Sequence, residues 1–297
     1  MDMLDYNSMQ PISPELWDKM KQALAASDYP SCEYAFANLV IWSDVFRTRC
    51  CEYEDKLFFH MPDIDELLFP CGGMPTPEEL RKAAAGMQAA GYSGRITHVP
   101  ESYLASPDLD QYFTVGEREP GNDEYVYLTS SLAALHGSKL QKKRNLISQF
   151  ERQYPIHEIK EVAGKDDFST IISLSEHWVH EHIDTQSIEN ERCALRKALA
   201  HFDELGLQGL MLYADGELKA YAVYSRINSD SYTVHFEKAL SECKGASQLI
   251  TRSTAEALQG RCEYINREQD LNLPGLRQAK QSYVPHHMLI DYTLVPK

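Results

Sequence analysis

From Ser231 to Gly260 the chain reads SYTVHFEKALSECKGASQLITRSTAEALQG, and its hydrophobic period changes in the middle. Tyr232, Val234 and Phe236 alternate with Thr233, His235 and Glu237, as in a strand with one face buried. Further on, Leu249, Ile250, Ala257 and Leu258 recur at helical spacing around the small Ser253 and Thr254. A strand that passes through a short Gly-containing turn into a helix presents free backbone N–H groups, a seat for a phosphate or another anion. Gly245 and Ala246 stand where a larger side chain would obstruct a diphosphate, and Lys244 and Arg252 bring positive charge. The same residues also suit an ordinary strand-to-helix turn, because a Gly at a helix start is common.

The flanking sequence extends the pattern. Upstream, Leu207–Ile227 alternates on both sides of Asp215-Gly216, the signature of a β-hairpin. Before it come helical patterns over Phe168–His182 and Asn190–Leu205 and a strand near Ile156–Val162. Downstream follow a short strand at Tyr264–Asn266, a helix over Leu276–Ser282 and a final apolar strand, His287–Val295. This order, β-α-α-β-β-β-α-β-α-β, resembles the GNAT superfamily of N-acyltransferases. The resemblance implies a coenzyme A diphosphate held at the turn, with cofactor contacts from Ala239, Leu240, Ser241, Cys243, Lys244, Gly245, Ala246, Ser247 and Gln248.

Two further stretches sharpen it. NREQDLNLPGLRQAKQSYVP (266–285) and DEYVYLTSSLAALHGSKLQKKRNLISQFERQYP (123–155) resemble the bacterial family that shares the C-terminal domain of phosphatidylglycerol lysyltransferase. That family is built of two acyltransferase-like halves, akin to the peptidoglycan-bridge aminoacyl transferases. One departure is visible: Asn272 stands where the family pattern has Gly after Asp-x, and Asn tolerates positive φ better than other non-Gly residues.

The expected fold class is therefore α+β with mixed sheets, in two tandem GNAT-like domains, a degenerate one over 1–154 and a cofactor-binding one over 155–297. The N-terminal half has the same rhythm. Helices are read over Glu15–Ala25 and Glu33–Val45, a hairpin over Thr48–Tyr53 and Lys56–His60, strands at Leu67–Pro70 and Arg95–Val99, and a helix over Glu78–Ala90. That last helix is announced by Thr76 at the cap, Pro77 at the first helical position and acidic residues in the first turn. The charged loop Gly116–Asp123 opens the region of division, which is set at Pro155.

Bulk properties limit the partners. The 297 residues suffice for two domains with separate cores. No apolar run has the length of a membrane span and the N-terminus lacks a basic, apolar signal, so a cytoplasmic protein with no integral membrane segment is expected. Seven cysteines without regular spacing point to free thiols. A net charge of −15 disfavours tRNA unless basic residues are concentrated locally. One concentration exists, Lys139, Lys142, Lys143, Arg144 and Arg152, read either as a solvated helix face or as a clamp for an anionic donor or acceptor between the halves.

Transfer to an amine needs a base, since a free ammonium titrates near about 10.4. The resemblance places that base on the strand Tyr232–Lys238. Glu237 is the candidate, with His235, read on the same strand face, as the substitute; a plain ion pair is the alternative for Glu237. Tyr283 is the candidate acid for the leaving group, against a simple packing role. Glu268 and Asp270 belong to the family-like motif and are candidates for substrate recognition with Asn266, Arg277 and Lys280, or else hold Arg267, Arg277 or Lys280 in ion pairs. His177, His180 and His182 with Glu181 lack an HExxH order and a third ligand, so no metal is expected.

The leading expectation is acyl transfer from acyl-coenzyme A to a small-molecule or peptide amine. The first alternative is an aminoacyl-tRNA-dependent transferase acting on a lipid or peptide. The second is a non-catalytic module binding coenzyme A or a nucleotide.

Overall fold

A computed structural model describes residues 3–180 and 185–297, without the side chains of 178–180 and 185–187. The side chains of His180, Glu181 and His182 thus lie outside the described residues. In chain order the elements are β1 (Gln10–Pro11), α1 (Trp17–Ser27), α2 (Phe36–Ile41), β2 (Arg49–Tyr53), β3 (Lys56–Met61), β4 (Glu66–Leu68), α3 (Pro77–Ala89), β5 (Ile96–Thr97), α4 (Leu109–Tyr112) and β6 (Phe113–Val115). Then follow β7 (Glu124–Leu128), α5 (Thr129–Ala134), α6 (Gln141–Gln153), β8 (His157–Glu161), α7 (Lys165–His180), α8 (Thr185–Ala200), β9 (Gln208–Ala214) and β10 (Glu217–Arg226). The last are β11 (Ser231–Ala239), α9 (Ala246–Leu258), β12 (Tyr264–Gln269), α10 (Pro274–Gln281), β13 (His287–Leu289) and β14 (Leu294–Pro296).

They form two mixed sheets of seven strands, ordered β1-β2-β3-β4-β5-β14-β6 and β13-β7-β12-β11-β10-β9-β8. In each, three antiparallel pairings lead to one parallel pairing, β4/β5 or β11/β12, and then to an antiparallel one. Each parallel pair is joined through a helix, α3 or α9, as parallel strands require. The sixth strand of the first sheet, β14, comes from the other end of the chain; that of the second, β7, comes from the start of its own segment.

That topology corrects two sequence readings. Contacts divide the chain at Asp123/Glu124 and not at 154/155, with Leu289–Lys297 returning to the first unit. The reason is hydrogen bonding: β7 pairs with β12 in the register Leu128↔Tyr264 to Asn266↔Val126, and the basic helix α6 packs on α9 inside the second unit. The apolar run His287–Val295 is two strands in two sheets. Between them the Asp291 carboxylate accepts the backbone N–H of His98 at 3.0 Å, which takes the chain out of the first ladder and into the second.

Elsewhere local chemistry decides. Thr76 and Glu79 close a capping box on α3, and Asp215-Gly216 turn with φ of 53° and 80°, the mirror-type hairpin that the sequence announces. In the second unit, Leu249, Ile250, Ala255 and Leu258 of α9 pack against Leu210, Leu212, Ala220, Ala222, Tyr232 and Val234 of the sheet. The alanines at the centre let the helix lie close, and each buried Leu or Ile is worth about 1.5–3 kcal/mol.

One core polar group of the first unit sets a pH limit. His60 is 1% exposed, its ring edge-on to Tyr6 and Tyr92, and neither ring nitrogen has a hydrogen-bond partner among the described residues. Burial pushes its pKa down to about 4. Between the unfolded value near 6.5 and about 4, the unfolded chain binds a proton that native His60 refuses, so stability is complete above about 6.5 and is lost as pH falls. His60→Phe is therefore expected to flatten the loss between pH 7.5 and 5, by about 1–3 kcal/mol in urea unfolding curves; parallel losses in wild type and variant would show that His60 does not carry it.

Candidate functional site

The second sheet opens where its parallel pair ends. β11 and β12 pair only over Ser231–Thr233 with Tyr264–Asn266; beyond that, β11 stays on β10 and β12 on β7. A bulge controls what points into this opening. Val223 opposes Phe236 and Tyr224 opposes Val234, so His235 is the extra residue of β11. Tyr232 and Val234 belong to the α9 core, and after the bulge Glu237 and Ala239 also face that side, whereas strict alternation would have turned them away. His235 goes to the opposite side, where its Nε2 lies 2.8 Å from Ser225 Oγ and its Nδ1 is 3.4 Å from Glu268 without hydrogen-bond geometry. The expectation that His235 shares a face with Glu237 is thus corrected by one inserted residue.

On the α9 side four elements converge. Arg267 Nη2 of β12 donates to Glu237 Oε1 at 2.9 Å, with side chains 14% and 11% exposed. Thr251 of α9 lies 2.9 Å from the same carboxylate oxygen, and the Tyr283 hydroxyl donates to Thr251 Oγ1 at 3.5 Å. Two cations share the Tyr283 ring: Arg267 Cζ is 4.9 Å and Lys143 Nζ of α6 is 3.9 Å from its centroid. Burial, then the charges of Arg267 and Lys142, pull Lys143 down to about 8, partly opposed by Glu237. Burial also pushes the Tyr283 hydroxyl up. The cluster holds two cations against one carboxylate, a locally positive site in a chain of net charge −15. Such a site suits a carboxylate, a phosphate or the oxyanion of acyl transfer.

The other candidates brace this cluster. Asp270, fully buried, accepts from Tyr125 Oη at 2.6 Å, from Arg277 Nε and Nη2 at 2.7 and 2.8 Å, and from the Asn272 backbone at 2.9 Å. Its hydrogen bonds from Arg277 hold it down at about 2 against the effect of desolvation. Asn272 has φ 58°, the left-handed conformation foreseen for it. Lys280 donates to the carbonyls of Arg267 and Gln269 and so fixes the backbone that aims Arg267. Asn266 joins Glu124 to the Glu268 backbone, while Glu268 receives Thr233 Oγ1 on the far face. Arg144 donates to the carbonyls of Leu135 and Gly137 that close α5, and Lys142 remains exposed. Of the candidate residues, the structure brings Glu237, Tyr283 and Lys143 together. Arg267 and Thr251 join them unforeseen; alternation across Asn266-Arg267-Glu268 was the signal for the first, and the second needed the bulge.

In the turn Ala239–Gln248 the chain packs closely around Gly245. Gly245 caps α9 with φ 94°, and a Cβ there would stand 2.1 Å from the Leu146 carbonyl oxygen and 3.0 Å from Phe150 Cβ. Cys243 and Ala246 spend their N–H groups on Leu240 and Cys243 carbonyls, and Cys243 is buried beside Tyr154 Oη at 3.7 Å. The place that a Gly245 side chain would take is filled by the main chain of α6. Among the described residues no group of three or more His, Cys, Asp or Glu could hold a metal, and no helix is long and apolar enough to cross a membrane.

Comparison with known proteins matches residues 25–295 to the family described as phosphatidylglycerol lysyltransferase, C-terminal. A conserved protein of unknown function from Bacteroides thetaiotaomicron superposes with a TM-score of 0.90 at 30% identity, over 97% of this chain and 99% of that one. The C-terminal domain of a protein assigned as a lysylphosphatidylglycerol synthetase from Agrobacterium fabrum shares the fold, with a TM-score of 0.67 at 13% identity over 95% and 91% of the two chains. An uncharacterized protein of Mycoplasmoides gallisepticum is 20% identical over 168 residues, 57% of this chain; the match spans 54% of that relative's length, about half of it.

Gly245→Ala is expected to destabilise the protein by about 3 kcal/mol or more in chemical denaturation, because it adds a clash with main chain to a left-handed φ. A loss below about 1 kcal/mol would mean that α6 moves aside easily and that the turn is open to a ligand.

Proposed function

From the premise that the chain belongs to the phosphatidylglycerol lysyltransferase C-terminal family, we propose that it is a transferase moving an aminoacyl or other acyl group from an activated ester to an amine. The carrying observation is the convergence of Glu237, Arg267, Tyr283 and Lys143 where β11 and β12 part. In this reading neutral Lys143 accepts the proton of the acceptor ammonium. The freed amine forms the new bond to the ester carbonyl, and the Arg267 guanidinium stabilises the oxyanion. As the carbon–oxygen bond of the ester breaks, Tyr283 gives its proton to the leaving oxygen and takes in its place the remaining extra proton of the attacking nitrogen. Glu237 orients Arg267, a positioning role that fits its ion pair better than the role of base.

For the donor we favour an aminoacyl ester of tRNA. The family description, a lysyltransferase, supports it. Exposed Lys139, Lys142 and Arg152 would then supply the local positive surface that a net charge of −15 otherwise lacks. Acyl-coenzyme A is the second reading, supported by the Gly-capped start of α9 at the end of β11. We also read each sheet as one copy of the GNAT fold, supported by the shared order of strand directions and the helical crossover in each.

The test offers purified protein radiolabelled aminoacyl-tRNAs and, separately, acetyl-coenzyme A, with amine acceptors, at two salt concentrations. Salt-sensitive transfer from tRNA is expected, rising with pH through about 8 as Lys143 loses its proton and levelling above it. Lys143→Gln should abolish that rise, and Arg267→Lys should lower kcat/KM by about 10²-fold. Transfer from coenzyme A alone would select the second reading; an Arg267→Lys variant with full activity would remove this cluster from the chemistry.

A further inference from the structure

The outer edge of the second sheet carries a symmetric pattern that the transfer reading does not use. Among the described residues β8 is the last strand on that side and pairs with β9 along one edge, in the register His157↔Ala214 to Glu161↔Leu210. Glu158, Ile159, Lys160 and Glu161 are all exposed, and Ile156, which enters the strand, is 83% exposed.

The direction of the free hydrogen-bonding groups follows from one bond. Val162 N–H donates to Gly209 O at 2.9 Å, so Val162, Lys160 and Glu158 face β9 with their N–H and C=O groups. His157, Ile159 and Glu161 then turn theirs outward. We propose that this edge pairs antiparallel with the β8 of a second copy of the chain, centred on Ile159. In that register every outward residue meets another outward one: Ile159 faces Ile159 of the second copy and His157 faces Glu161, each pair exchanging both N–H···O bonds.

The side chains agree with the backbone. Glu158 stands opposite Lys160 of the second copy and Lys160 opposite its Glu158, as non-hydrogen-bonded pairs whose side chains are closest. Within one copy these two already touch at 2.7 Å, both more than half exposed, so pairing builds an alternating square of four charges. Exposed Ile156 would be covered by Val162. Neighbouring registers fail: centring on Glu158 or on Lys160 sets like charges face to face, and the first also brings Pro155, which has no N–H, into the ladder. Edge charges commonly keep sheets apart. Here their order, Glu158-Ile159-Lys160, is complementary to itself when reversed.

Sedimentation equilibrium over a roughly hundredfold concentration range tests this on the full chain. Wild type is expected to reach twice the mass of one chain. Glu158→Lys or Lys160→Glu alone should weaken the dimer at least about tenfold by opposing like charges, and the double variant Glu158→Lys/Lys160→Glu should restore it. Ile159→Pro removes an outward N–H without touching the β9 ladder and should also give monomer. Melting curves confirm that each variant is folded. A wild-type monomer throughout, a dimer indifferent to the single reversals, or a double variant that stays monomeric would each overturn the proposal.

Discussion

A single extra residue in β11 governs the chemistry of this protein. A strand alternates its side chains strictly, so Glu237 would share a face with Thr233 and lie under α7 and α8. The bulge at His235 resets that alternation and delivers the carboxylate to Thr251 and Arg267 on the α9 side. β12 is irregular at the same level, shifting register against β7 between Asn266 and Gln269 with Glu268 at φ 58°, and the two strands part there. The two irregularities together let Glu237 and Arg267 meet as an ion pair across the opening. Breaking such a pair from one side costs about 3–5 kcal/mol, which ties the integrity of the fold to the site.

The electrostatics of the cluster depend on rigid supports one layer out. Arg267 is aimed by a backbone that Lys280 holds through two carbonyls, and the following turn is locked by the Asp270–Arg277 pair with Tyr125. These charges are consumed in holding the main chain, which leaves Lys143 as the cation with a movable proton. Its neighbours Arg267 and Lys142 repel its charge and burial disfavours it, and both effects act in the direction that frees an amine near neutral pH.

The two sheets are linked through covalent order as well as similarity. The first takes its sixth strand, β14, from the far end of the chain, while the second takes β7 from the start of its own segment. The first unit is therefore not a continuous segment and cannot complete its sheet until the last residues of the chain are available, whereas the second runs unbroken from Glu124 to Met288. Such long-range pairing is slow to close but specific in register, because the strand is inserted between two ladders that must both match.

Much of this was legible in residues 231–297 and the hairpin before them. Periodicity, the Asp215-Gly216 turn and the Thr76 capping box are local physics, and they determined the elements and the βαβ crossover, while the family was carried by the resemblance of the stretches 123–155 and 266–285. The resemblance pointed to Glu237 and Tyr283, and the local concentration of basic residues pointed to Lys143. What the sequence left undecided depended on pairings between distant strands. The apolar run His287–Val295 carries no mark showing that its two ends join different sheets, and β7 hides in a stretch whose partner lies far along the chain. A bulge is a property of two strands and cannot be read from one, so the faces of His235 and Glu237 were set only by the ladder with β10. Gly245 is the plainest case: its lack of a side chain was visible, but only the tertiary structure decided that the space was needed by the main chain of Leu146.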